Sequence, residues 1–320
     1  MENKKIFVVV VTFKGGQWYD RCFTSLRESS IPVQTIVVDN ASDDGTIEYI
    51  REHYPEIHLI ESKENLGFGR ANNLGMRFAL DQGCDYVFLL NQDAWVEKDT
   101  FEKMINIHSN HPEYGILSPM HLNAEKTGIE KGLVYYLDDR KITDQSLFED
   151  LYFDRIKEVY DTKYVNAAAW LLPKKTLEVV GGFDPIFSHY GEDDNYMHRV
   201  LYHKMKIGIC PLCIAVHDTV RRITAPDKKV QTNWSSLLAE VTDINKRLTP
   251  TGLCLFHFRK TISKLIVFKF SVARYHWETM RFLCKNANAI KKSRRTNVLP
   301  GMNWLSDQNI NSYANGNERV

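Results

Sequence analysis

The chain has 320 residues, of which 43% are hydrophobic and 25% charged, and a formal net charge of +1. That balance describes a globular protein, long enough for one large α/β domain with an appendage or for two modest domains. It excludes a membrane-spanning segment, since no run approaches the roughly 20 apolar residues that cross a bilayer. The net charge by itself excludes no partner, because it averages over uneven stretches.

Met1–Lys5 leads into Ile6–Val11, a β-branched run too short for a signal-peptide core and lacking a small-residue cleavage site, so a cytoplasmic protein is expected. The same run predicts a strand buried on both faces. Gly15-Gly16 ends it, and Trp18–Ser29 has helical apolar spacing at Cys22, Phe23 and Leu26. Gln34–Asp39 predicts a second strand, and Thr46–His53 a helix introduced by Ser42, Asp43, Asp44 and Gly45. A third strand over His58–Glu61 precedes the glycine-rich Asn65–Gly69 and a helix over Arg70–Asp81. Tyr86–Leu90 is a fourth apolar strand and runs into Asn91-Gln92-Asp93. Strands joined by such helices imply right-handed crossovers and a mainly parallel sheet, whose ligands sit beyond the strands' carboxyl ends. Thr12, Asp39, Asn40, Asn91 and Asp93 cluster at those ends.

A helix over Phe101–Asn110 and a strand over Gly115–Pro119 follow, then a polar segment, Asn123–Lys163, read as an inserted loop or hairpin over the site. Val165–Leu172 predicts a strand, Lys174–Val180 a short helix, Glu192–Leu201 a helix, and Lys206–Val216 a strand ending in His217-Asp218. Beyond Pro226 the character changes to helices over Thr232–Lys246 and Gly252–Ala289, the second basic and aromatic with Glu278 its only acid. The expected division is a catalytic domain at 1–225, a basic helical extension at 226–299 and a loosely packed polar tail at 300–320. The six cysteines (Cys22, Cys84, Cys210, Cys213, Cys254, Cys284) show no disulfide framework and read as reduced thiols, with the Cys210–Cys213 pair structural.

The acids at the strand ends carry the chemistry. Asp39 closes an apolar strand, where a carboxylate needs a partner. It suits contact with a nucleobase or ribose, and it equally suits a turn with Asn40 and Ser42. Asp93, after Asn91-Gln92, is placed to hold a divalent cation that bridges a diphosphate; Mg²⁺ or Mn²⁺ takes oxygen ligands and keeps positions open for phosphate. A turn aspartate would look the same. Glu192-Asp193-Asp194 at a helix start is favoured by the macrodipole alone, yet its aromatic approach, Phe183 to Tyr190, suggests an acceptor wall where a carboxylate deprotonates a hydroxyl. His217, at a strand end, is either structural or a metal ligand.

Val10–Phe13, Val37–Thr46, Asn65–Gly69 with Asn72–Gly75, Leu89–Asp93, Gly181–Asp184 and Gly191–Asp194 together resemble the ordered motifs of glycosyltransferase family 2, nearest its rhamnosyltransferase-like and galactofuranosyltransferase-like branch. The resemblance spans about residues 5–220. It implies a GT-A fold and inversion at the anomeric carbon, in cell-surface polysaccharide synthesis. It implies that Thr12 and Asp39 contact the nucleoside, that Arg70 lies near the nucleotide or diphosphate, and that Asp93 is the last acid of a metal motif. Asn91 stands at that motif's first acid, on the donor side, leaving fewer anionic ligands. His217 corresponds to a histidine that completes metal coordination, Asp193 to the general base, and Glu192 and Asp194 to acceptor-binding acids. The implied partners are a nucleotide sugar and a glycan or lipid-linked glycan.

Two rivals stand beside this. A sugar-nucleotide nucleotidyltransferase wants a glycine-rich basic loop after the first strand, of which Lys14-Gly15-Gly16 is a poor version. A non-catalytic glycan-binding homologue is opposed by the intact Asp39, Asp93, Asp193 and His217. The basic extension fits either peripheral contact with an anionic membrane, at its inner face, or packing on the catalytic domain or a second subunit of a homo-oligomer. Nucleic acid is not an expected partner, because no stacking platform accompanies the charge.

Overall fold

The structure, a computed structural model, describes residues 4–138, 146–219 and 228–306. In chain order it runs β1 (Ile6–Thr12), α1 (Gly16–Arg27), β2 (Gln34–Asp39), α2 (Thr46–His53), β3 (His58–Glu61), α3 (Gly67–Asp81), β4 (Tyr86–Asn91) and β5 (Ala94–Val96). It continues with α4 (Thr100–Asn110), β6 (Tyr114–Leu122), α5 (Lys131–Asp138), α6 (Ser146–Tyr152), β7 (Tyr160–Thr162), β8 (Ala169–Pro173), α7 (Lys174–Val179), α8 (Glu192–Tyr202) and β9 (Lys206–His217). Three helices complete it: α9 (Lys228–Thr242), α10 (Pro250–Ile266) and α11 (Phe270–Asn297).

The strands form one sheet in the order β3-β2-β1-β4-β8-β6-β9-β5, with β7 pairing β9 off that path. β3, β2, β1 and β4 are mutually parallel, as are β6 and β9; β8 runs antiparallel between β4 and β6. This is a GT-A fold with a mostly parallel central sheet and C-terminal helices. β1 is apolar from Ile6 to Val11 because both its faces are covered. Phe7 and Val9 join Leu89, Trp170 and Phe183 on one face, while Ile6, Val8 and Val10 join Phe23, Phe88 and Leu171 on the other. Each such side chain, taken fully out of water, contributes about 1.5–3 kcal/mol. Gly75 lets α3 lie directly on β1: a Cβ there would meet Val9 Cγ1 at 2.4 Å.

Four expectations need correction. The segment after Asn123 is not a plain loop: it carries α5, α6 and β7, the last laid antiparallel on β9. Val165–Ala168 is not strand, because its backbone turns to serve the site described below. The expected single helix Gly252–Ala289 is two, reversing at Phe268, whose φ is +53°. The chain from Pro300 is not loose at its start, since Trp304 and Leu305 are buried and Gly182 N donates to Asn303 O at 2.8 Å. The remainder of the polar tail, 307–320, and the domain boundary at 225–226 lie outside the described residues.

All six cysteines are free thiols, four of them buried. Among the described residues no helix is long and apolar enough to cross a membrane.

Candidate active site

The parallel register sets the site's edge. Thr12 stands opposite Asp39, and Val11 opposite Asn91, so the carboxyl ends of β1, β2 and β4 finish side by side. Asp39 is fully buried; its Oδ1 accepts from Thr12 Oγ1 at 2.9 Å and Ser42 Oγ at 2.7 Å, and its Oδ2 from Ser42 N at 2.8 Å. The carboxylate thus shapes the turn after β2, leaving one lone-pair direction on Oδ2. Asn40 extends that edge to α3, accepting from Leu66 N at 3.1 Å and donating to Gly67 O at 3.3 Å.

Asp93 and His217 meet. The antiparallel pairing of β5 with β9 sets Ala94 opposite His217, and Asp218 N donates to Asp93 O at 2.9 Å. His217 Nε2 lies 3.4 Å from Asp93 Oδ1 and 3.5 Å from Asn91 Nδ2, both acid and imidazole buried. A carboxylate oxygen and an imidazole nitrogen converging in this way are a donor set that fits a divalent cation. Behind His217 stand His121 and Glu130, each offering an atom within 4.8 Å of the others. His121 Nε2 is 3.1 Å from Ser118 Oγ, and burial beside His217 pushes its imidazole down to about 3, so it is neutral. Glu130 holds the start of α5, accepting from Gly132 N and Leu133 N at 2.8 Å each.

Residues 164–168 connect this corner to the acids of α8. Asn91 N donates to Ala168 O at 2.9 Å, while Tyr164 Oη donates to Asp193 Oδ2 at 3.3 Å. Asp193 Oδ1 accepts from Asp194 N at 2.9 Å. Burial pushes the Asp193 carboxyl above its usual range, while the N–H of Asp194, the Tyr164 hydroxyl and the N–H of Ala167 oppose the rise. Glu192 is the more hidden; burial and the Asp193 charge push it up to about 8, and its Oε2 lacks a hydrogen-bond partner among the described residues. The hydrogen-bond donors of the pair are gathered on Asp193, where they favour the carboxylate form. Gly191, at φ +84°, makes the sharp entry into α8, and a Cβ there would meet Ser235 O at 2.9 Å. Asp194, partly exposed, completes the acidic first turn.

Arg70, next to Gly69 in the first turns of α3, donates from Nη2 to Pro185 O at 3.0 Å. Four further residues contribute without a clear sequence signal of their role. His121 sat inside an apolar run and Glu130 in a polar one. Tyr164 carried no motif, and Gln92, inside the Leu89–Asp93 motif, had no role assigned; it grips the Phe13 backbone, accepting from its N at 2.8 Å and donating to its O at 3.2 Å. A histidine closing a buried strand was the one available signal.

A GT-A sheet with acids and a histidine at its carboxyl edge, taken with the family match and the relatives that follow, defines the class: this is a glycosyltransferase. Residues 7–154 match the family model described as glycosyl transferase family 2, and the chain carries a domain of that family. It is 22% identical over 282 residues to the low-salt glycan biosynthesis hexosyltransferase Agl10 of Haloferax volcanii, covering 86% of this chain and 84% of that one. It is 23% identical over 238 residues to the dTDP-rhamnosyl transferase RfbF of Shigella flexneri, covering 69% of this chain and 77% of that one. Among solved structures, S. aureus TarS 1-349 in complex with UDP shares the fold, with a TM-score of 0.55 and 14% identity over 99% of this chain and 93% of that one.

Proposed function

We propose that the chain is an inverting, metal-dependent glycosyltransferase that moves rhamnose or a hexose, galactofuranose included, from a nucleoside-diphosphate sugar to a hydroxyl of a glycan or lipid-linked glycan, in cell-surface polysaccharide synthesis. The observation that carries it is the chain of contacts from Asp93 and His217 through Asn91 and Ala168 to Tyr164 and Asp193. It links a corner whose donor set fits a cation to the Asp193 carboxylate at the start of α8. The rhamnosyl and hexosyl activities in the names of the two relatives give the donor classes.

In this reading Thr12 and Asp39 border the nucleoside, through Asp39's remaining lone pair, and Asn91 faces the donor's diphosphate. Arg70, held by its bond to Pro185 O, lies near the nucleotide or diphosphate. Asp93 and His217 hold Mg²⁺ or Mn²⁺, which when bound offsets the negative charge that develops on the leaving diphosphate. Asp193 accepts the proton of the acceptor hydroxyl as that oxygen attacks the anomeric carbon from the face opposite the diphosphate. The bond to the nucleotide breaks in the same displacement, so configuration inverts. Glu192, protonated, donates a hydrogen bond to the acceptor, and Asp194 accepts one. The four buried free thiols support a cytoplasmic setting, where cysteines stay reduced.

The test is a panel of dTDP-rhamnose and UDP-hexoses, with Mg²⁺, Mn²⁺ or chelator, following nucleoside diphosphate release and the anomeric configuration of the product by NMR. Cation-dependent release with an inverted product is expected. Retention of configuration, or full rate in chelator, would overturn the proposal.

A further inference from the structure

The hairpin of α10 and α11 is built inside out. The surfaces that meet are lined by His257, Thr261, Ala273 and Thr279, and His257 Nδ1 lies 3.0 Å from His276 Nδ1. The large apolar side chains point away: Ile266, Phe268 and Phe270 are 70%, 79% and 62% exposed, against 7% for Thr261 and 2% for Ala273. A helix pair stable in water alone places its apolar stripe inward. Tyr275 and Trp277 continue the exposed surface, aromatic groups with the amphipathic character of membrane-interface residues.

Charge runs through the same surface. Lys260, Lys264, Lys269, Arg274 and Arg281 interleave with the aromatics, and Glu278, the only acid in either helix, is engaged by Arg274 Nε at 2.7 Å. The root, in contrast, is fixed. Leu283 and Ile290 are buried with Phe187, Leu238 and Val241, and Ser293 Oγ and Asn297 Nδ2 donate to Asp184 Oδ2 at 2.6 and 2.8 Å. Between Leu283 and Phe270 the helix rises ~20 Å, which carries the tip clear of that cluster.

We propose that this tip is the protein's docking surface for an anionic lipid bilayer. Acyl chains receive Ile266, Phe268 and Phe270, while the lysines reach the headgroups. A second copy of the chain is the poorer occupant, because a symmetric contact sets the same basic surface against itself. Neither helix can cross a membrane, so the hairpin dips its tip and the anchored root holds the Asp184–Asp194 segment, with Asp193, at a set height above the lipid. The proposal does not depend on which sugar is transferred.

The experiment is co-sedimentation of the full chain with vesicles of equimolar phosphatidylglycerol and phosphatidylcholine, beside vesicles of phosphatidylcholine alone, at low and high salt. Binding to the anionic vesicles, weakened by salt, is expected. Phe268→Ser with Phe270→Ser, and separately Lys264→Glu with Lys269→Glu, each weaken it at least about tenfold. Both variants keep the thermal transition and the transfer rate on a soluble acceptor. Absence of binding, or equal binding by wild type and both variants, would overturn the proposal. So would sedimentation velocity showing a dimer that the Phe268/Phe270 variant dissolves without any vesicle binding, which would assign the surface to a second copy.

Discussion

His217 Nε2 stands 3.4 Å from Asp93 Oδ1, a pairing set by backbone before any ligand arrives. The β5–β9 ladder places Ala94 opposite His217, and the Asp218 N–H to Asp93 carbonyl bond closes the next rung. The corner is therefore preorganised, at the junction of the first half of the chain with its last strand. His121 and Glu130 pack behind the imidazole.

Replacing either member disables the corner without unfolding it. His217→Ala and Asp93→Ala should each weaken Mn²⁺ binding, read by calorimetry, by more than the ~10–100-fold that loss of a mere supporting residue costs. Thermal transitions should move little. Unchanged Mn²⁺ affinity in both variants would separate the pair from any cation.

Glu192 gives a pH signature. Its carboxyl sits at about 8 in the folded chain against an ordinary 4.5, so the folded state retains a proton that the unfolded state releases. The sign follows: stability is greatest below about pH 4.5, where both states are protonated, and falls as pH rises toward about 8. Each unit of displacement is worth about 1.4 kcal/mol. Glu192→Gln should therefore melt at least ~3 °C above wild type at pH 8 and nearly level with it at pH 5. A difference independent of pH would refute the assignment.

Gly75 decides between two opposing effects. Alanine is the better helix former by about 1 kcal/mol, but its Cβ would meet Val9 at 2.4 Å between two well-packed elements. Overpacking of that kind costs about 1–3 kcal/mol, so Gly75→Ala should lower the denaturant midpoint. A raised midpoint would mean that α3 can withdraw from the sheet.

Asp184 ties the root of the hairpin to the site. It accepts from Ile186 N at 3.0 Å as well as from Ser293 and Asn297, and it is buried. Asp184→Ala strands these donors, at about 1–3 kcal/mol for each one left unsatisfied. The expected result is a lower midpoint together with faster protease cleavage within α10 and α11. Cleavage at the wild-type rate would show the hairpin to be held by its apolar root alone.

Much of the first half of the fold was legible because strands covered on both faces, β1 and β4, write themselves as apolar runs; β2, β3 and α2 also fall at the expected residues. β5 was not, since three residues, Ala94–Val96, carry no period. Val165–Ala168 looked like strand, but its backbone bonds serve Asn91 and Asp193 instead of a ladder. The hairpin reversal was hidden because Phe268 takes a left-handed conformation without glycine to mark it. In the site, Asp93 and His217 could be paired from their motifs. His121 and Glu130 could not, because only the sheet order sets them beside His217. Asp39 had two readings from sequence, and its bonds to Thr12 and Ser42 give weight to the turn.

The most direct measurement compares Asp193→Asn with wild type in transfer rate and in donor affinity. Loss of the proton acceptor should lower kcat about 10²–10⁴-fold with donor Kd unchanged. Transfer within a few-fold of wild type would contradict the assignment of Asp193 as the base and, with it, the mechanism built on this edge of the sheet.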